Sequence, residues 1–76
     1  MTKQEFCLEI ADILEIDDEL TESTELKKYD EFDSLAIMSI VALVNGKFGK
    51  KIPGAQIKSV RTPADIMALI GEENFN

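Results

Sequence analysis

The chain has 76 residues, 45% of them apolar, with only 4 glycines and 2 prolines, which is the composition of one small globular domain. Its 15 acidic and 8 basic residues give a net charge of −7, the wrong sign for neutralising nucleic-acid phosphates or docking on an anionic membrane. With no histidine and the single Cys7, the chain cannot build a Ser–His or Cys–His nucleophile pair, an internal disulfide or a multi-cysteine metal site.

The charge is unevenly spread. Residues 1–33 hold 12 acids and 3 bases, and residues 34–76 hold 3 acids and 5 bases, so the halves carry −9 and +2. The N-terminal Met1–Glu5 lacks the apolar core of a signal peptide, and no apolar run reaches the roughly 20 residues that span a bilayer. A cytoplasmic protein without membrane or nucleic-acid partners is expected.

Phe6, Ile10, Ile13 and Leu14 fall on one helical face. Thr2 and Glu5 have the spacing of a capping box, so a helix is expected from Thr2 to about Leu14, with Cys7 packed as a small apolar residue. Residues 16–33 read as a long acidic loop, with room for a short helical turn, pinned by Ile16, Leu20, Leu26, Tyr29 and Phe32. Loops of this length in small domains are uncommon and usually functional. A calcium loop starting at Asp17 would have Glu22 where glycine is needed and Lys28 where the bidentate glutamate belongs, so that reading fails.

A second helix is expected from Ser34 to Phe48, capped by Asp33 and ended by Gly49. Gly46 weakens its last turn by about 1 kcal/mol relative to alanine. Ile52-Pro53-Gly54 breaks the chain, and Ala55–Ser59 reads as a short helix. Thr62-Pro63-Ala64-Asp65 opens a last helix with an N-cap, a proline at the first position and an acid in the first turn. Ile66, Leu69 and Ile70 are its expected buried stripe, with Met67 at the margin and residues 72–76 a frayed tail. No segment alternates as a strand. The expected fold is an all-α four-helix bundle, three helices long and one short, with a long first loop, as one domain over residues 1–76.

The second helix has more apolar residues than one core face needs. Ile37, Ile40, Val41, Val44 and Phe48 fill an arc of roughly 100°. Leu35, Met38 and Ala42 lie opposite, with Ser39, Asn45 and Gly46 around them. Either the long loop folds over this second face, or the face is exposed and docks partner proteins. The second reading makes Leu35, Met38, Ser39 and Ala42 docking residues. Ser34 sits at the head of that face, where a phosphate on its hydroxyl would meet the positive end of the helix; from Asp33-Ser34-Leu35 alone, a common tripeptide, it reads as a second capping residue.

Asp33-Ser34-Leu35 opening an apolar helix that ends Phe48-Gly49 and is followed by Ile52-Pro53 resembles the acyl carrier proteins, and the order of elements agrees over the whole chain. The resemblance implies a non-enzymatic carrier with 4′-phosphopantetheine esterified to Ser34 and acyl groups borne as thioesters. It also implies that Asp33 orients the transfer, and that the partners are a phosphopantetheinyl transferase and the enzymes that load and receive acyl groups. The carrier is expected to be a monomer. Fatty-acid carriers have a glycine two residues before the motif's aspartate and a second helix studded with acids. Here Glu31 replaces the glycine, and the matching positions are Ala36, Ser39, Asn45, Gly46 and Lys47. With Tyr29–Ala36, this looks more like a stand-alone carrier of a specialised pathway. The rival reading is a small helical interaction module with no prosthetic group, docking through Leu35, Met38 and Ala42.

Overall fold

The computed structural model describes residues 1–76. It is all-helical, with α1 Lys3–Leu14, α2 Ser34–Phe48, α3 Gly54–Ser59 and α4 Pro63–Ile70, plus 3-10 turns at Leu26–Lys28 and Glu72–Asn74. No helix is long and apolar enough to cross a membrane. α2 packs against α1 and α3, and α1 packs against α4. The helix starts are set by local chemistry. The Thr2 hydroxyl accepts from the Glu5 N–H at 3.0 Å, and the Glu5 carboxylate accepts from the Thr2 N–H at 2.7 Å. Thr62 and Asp65 repeat this box at α4, with Pro63 at the first turn. Each box satisfies amides that a helix N-terminus leaves without partners.

Phe6, Ile10, Leu14, Leu26, Ile40, Val44, Ile57 and Ile66 are at most 1% exposed and form the centre of the core. The long loop joins this core by Leu20 and Leu26 and is tied to the α3–α4 junction. The Leu26 N–H donates to the Arg61 carbonyl at 2.7 Å, and the Ala64 N–H to the Glu22 carbonyl at 3.0 Å. The Arg61 guanidinium donates twice to the Glu25 carboxylate. Tyr29 Oη donates to Asp18 at 2.8 Å and closes the loop on itself. The radius of gyration is 11.0 Å, close to the roughly 11 Å expected of a folded chain this long.

Three expectations need correction. In α4, Met67 is 1% exposed and Leu69 is 42% exposed, the reverse of the expected stripe. The buried face is Pro63, Ile66, Met67 and Ile70: the proline seats the first turn, and residues at i, i+3, i+4 and i+7 follow it, leaving Leu69 outside the arc. Residues 72–76 are not frayed. Gly71 turns the chain at φ 108°, where a Cβ would also strike the Glu73 carboxylate at 2.8 Å. Phe75 then completes an aromatic cluster, with ring centroids 5.3 Å from Phe6 and 5.1 Å from Phe48, and the Asn76 N–H reaches the Met1 carbonyl. Finally, Ala36, taken as one of the positions where related carriers display acids, is buried at 5% exposure.

Candidate functional site

The first turn of α2 is the most distinctive part of the surface. Asp33 is in extended conformation and its carboxylate accepts from the Ala36 N–H at 3.0 Å. Its carbonyl accepts from the Ile37 N–H at 2.9 Å. The N–H groups of Ser34 and Leu35 have no acceptor within the chain, so the positive end of a 15-residue helix offers two free donors beside an exposed serine hydroxyl. Ala36 and Ile37 are buried and hold this turn against the core. Ser34 is thereby presented on fixed backbone.

Next to it runs the outer face of α2. Leu35 is 77% exposed and Met38 62% exposed, and Ser39 and Ala42 are exposed as well. The loop does not cover this face because its hydrogen bonds and buried leucines draw it to the α3–α4 junction. Asp33, Ser34, Leu35, Met38, Ser39 and Ala42 therefore share one end and one side of a single helix.

Other side chains share a cleft with the serine that its local sequence does not announce. Lys27, Phe32, Ile37 and Lys58 join Asp33 and Ser34 around one cleft. Glu15 and Glu31 lie with Asp33 and Leu35 around another. Phe32 and Ile37 are legible as core anchors, but Lys58 comes from α3 and has no local signal connecting it to Ser34. Elsewhere, Cys7 is 4% exposed within the core and is a packing residue, as expected; the same burial pushes its thiol above the ordinary pKa.

The residues present suit a phosphate ester: an accessible hydroxyl, free amide donors, the positive end of a long helix, and room on both sides. The phosphopantetheine attachment site family (PP-binding) matches residues 4–70. The chain belongs to this family of carrier proteins, in agreement with the resemblance to acyl carrier proteins. It is a carrier of covalently attached 4′-phosphopantetheine, and its class is not catalytic; such domains work with a phosphopantetheinyl transferase and with biosynthetic enzymes. No curated protein and no solved structure matched the chain.

Proposed function

We propose that residues 1–76 act as one stand-alone acyl carrier domain, a cytoplasmic monomer whose 4′-phosphopantetheine arm is esterified to Ser34. The arm's terminal thiol supplies a thioester link, stable enough to shuttle an acyl group and activated for its transfer. Asp33 caps the turn that presents the serine and orients it in the transfer. Leu35, Met38, Ser39 and Ala42 form the docking face for the transferase and for acyl-loading and acyl-receiving enzymes of a specialised pathway. The observation that carries this reading is the exposed Ser34 on the fixed first turn of α2, beside two free amide donors and an uncovered apolar face.

The test is intact-mass measurement after incubation with coenzyme A and a broad-specificity phosphopantetheinyl transferase. One arm is expected on the wild type and none on Ser34→Ala. Persistent modification of Ser34→Ala moves the site elsewhere. A folded wild type that takes no arm favours the interaction-module reading.

A further inference from the structure

Two clefts flank the start of α2, and they carry opposite charge. The first, about 280 Å³, is bordered by Glu15, Glu31 and Asp33 together with Leu35 and Ser39. Its charged members are all carboxylates. The second, about 320 Å³, is formed by Lys27, Phe32, Asp33, Ser34, Ile37 and Lys58. Its charged members are two lysines and one aspartate. Ser34 lines the second cleft and not the first.

The two lysines come from separate elements whose neighbours are fixed. Lys27 follows Leu26, which is fully buried and bonded to the Arg61 carbonyl. Lys58 follows Ile57, the fully buried anchor of α3. Neither ammonium is committed to an ion pair; the ion pairs join Lys3 to Glu22 and Glu72, and Arg61 to Glu25. A phosphodiester carries one negative charge. Placed on Ser34, it would offset the one net positive charge of the lysine cleft, whereas the opposite cleft would repel it.

We propose that Lys27 and Lys58 seat the phosphodiester borne by Ser34, so that the arm leaves the serine over Phe32 and Ile37 toward α3. This rests on Ser34 being the attachment site. The seat fixes the direction of the arm's root while Leu35 and Met38, on the outer face of α2, stay free for a partner. Lys27 and Lys58 are positioning residues; they touch the arm and not the acyl chemistry.

The experiment compares apo and fully loaded protein, loading being checked by intact mass. In the wild type, the side-chain Cε–Hε NMR signals of Lys27 and Lys58 should move on loading, while those of Lys47, Lys50 and Lys51 stay in place. The 31P signal of the loaded arm should shift in the Lys27→Gln/Lys58→Gln variant. At low salt the rise in Tm on loading should be smaller in that variant by roughly 1–8 °C. The difference should vanish near 1 M salt, where the screening length is about 3 Å. Both lysines are exposed, so the variant keeps the fold, and the wild-type NMR comparison needs no variant. Unmoved Lys27 and Lys58 signals, or an unshifted 31P resonance, on protein that mass shows to be fully loaded would overturn the seat and leave the attachment site standing. A chain that takes no arm at Ser34 overturns the attachment reading itself, and the seat with it.

Discussion

Two methionines make a controlled comparison of what is surface and what is core. Met38 on α2 is 62% exposed and Met67 on α4 is 1% exposed. A domain of 76 residues has a folding stability of about 4–11 kcal/mol. Met67→Glu removes a buried side chain worth about 1.5–3 kcal/mol and puts a carboxyl group where no partner waits, at a further cost of at least about 2 kcal/mol even when it protonates. The sum takes up much or all of the stability. Met38→Glu places the same charge in water, where the change should stay within about 0.5 kcal/mol. Urea unfolding should therefore leave Met38→Glu near the wild-type midpoint and find Met67→Glu either unfolded or with a far lower midpoint. Loading by the transferase, or acyl transfer from the loaded carrier, should slow roughly tenfold in Met38→Glu, the scale of an interface anchor. A Met38→Glu protein as unstable as Met67→Glu would show that the outer face of α2 is covered. A stable Met38→Glu protein with wild-type rates in both assays would remove Met38 from the docking face.

Phe75→Ala should lower stability by about 2–4 kcal/mol in urea unfolding, because the ring packs on Phe6 and Phe48; a negligible change would return residues 72–76 to a loose tail. The two capping boxes also predict an acid limb in stability. Hydrogen bonds from the Thr2 N–H lower the Glu5 pKa, and those from Arg61 and Thr62 lower that of Asp65. Both groups have folded pKa values below their unfolded ones, so their contribution is complete above the unfolded values, near pH 4, and is lost as pH falls through the folded ones. Urea midpoints should decline below about pH 4, and Glu5→Gln with Asp65→Asn should flatten that decline.

The helix boundaries were legible wherever a local cap declares them. Thr2 with Glu5, Asp33 before Ser34, and Thr62 with Pro63 and Asp65 each satisfy amides within their own turn, so a short stretch of sequence suffices. The end of α1 at Leu14 was legible from the apolar face alone, since Glu15 takes the left-handed cap position at φ 56° without the usual glycine. The errors lie where a long-range contact decides. Leu69 and Met67 are equally apolar, and only the seating of Pro63 in the core tells which face of α4 turns inward. Phe75 stands alone among polar residues and has no periodicity to reveal that it meets Phe6 and Phe48. The exposure of Ser34, Leu35 and Met38 at the head and outer side of α2 was legible because one helix carries them all. Lys27 and Lys58 were not, because the cleft is closed by elements far apart in sequence.

Partner choice is the remaining consequence of the charge layout. Charged rims mainly set association rate and specificity. The outer face of α2 has no acid after Asp33, and Lys47 is exposed near its end. Glu15 and Glu31 lie beside Leu35 and Ser39 at the start of that face, and Glu5 on α1 borders the cleft that holds Lys47 at its end. A basic enzyme patch shaped for an acidic helix would find attraction at one end and Lys47 at the other. Housekeeping fatty-acid condensing enzymes should accordingly use this carrier poorly in competition with their own. Adding acids tests the cause. Ser39→Glu would extend the Glu15–Glu31 side along the helix, and Ser39 is exposed, so the change should cost only tenths of a kcal/mol. Asn45→Glu would place an acid near the negative end of α2, at a cost of about 0.3–1 kcal/mol, which the domain can bear. Together they should raise turnover at low salt and lose that gain at high salt. Turnover by the unaltered protein within a few-fold of the enzyme's own carrier, with equal salt sensitivity, would show that acids on the second helix are not what the enzyme reads.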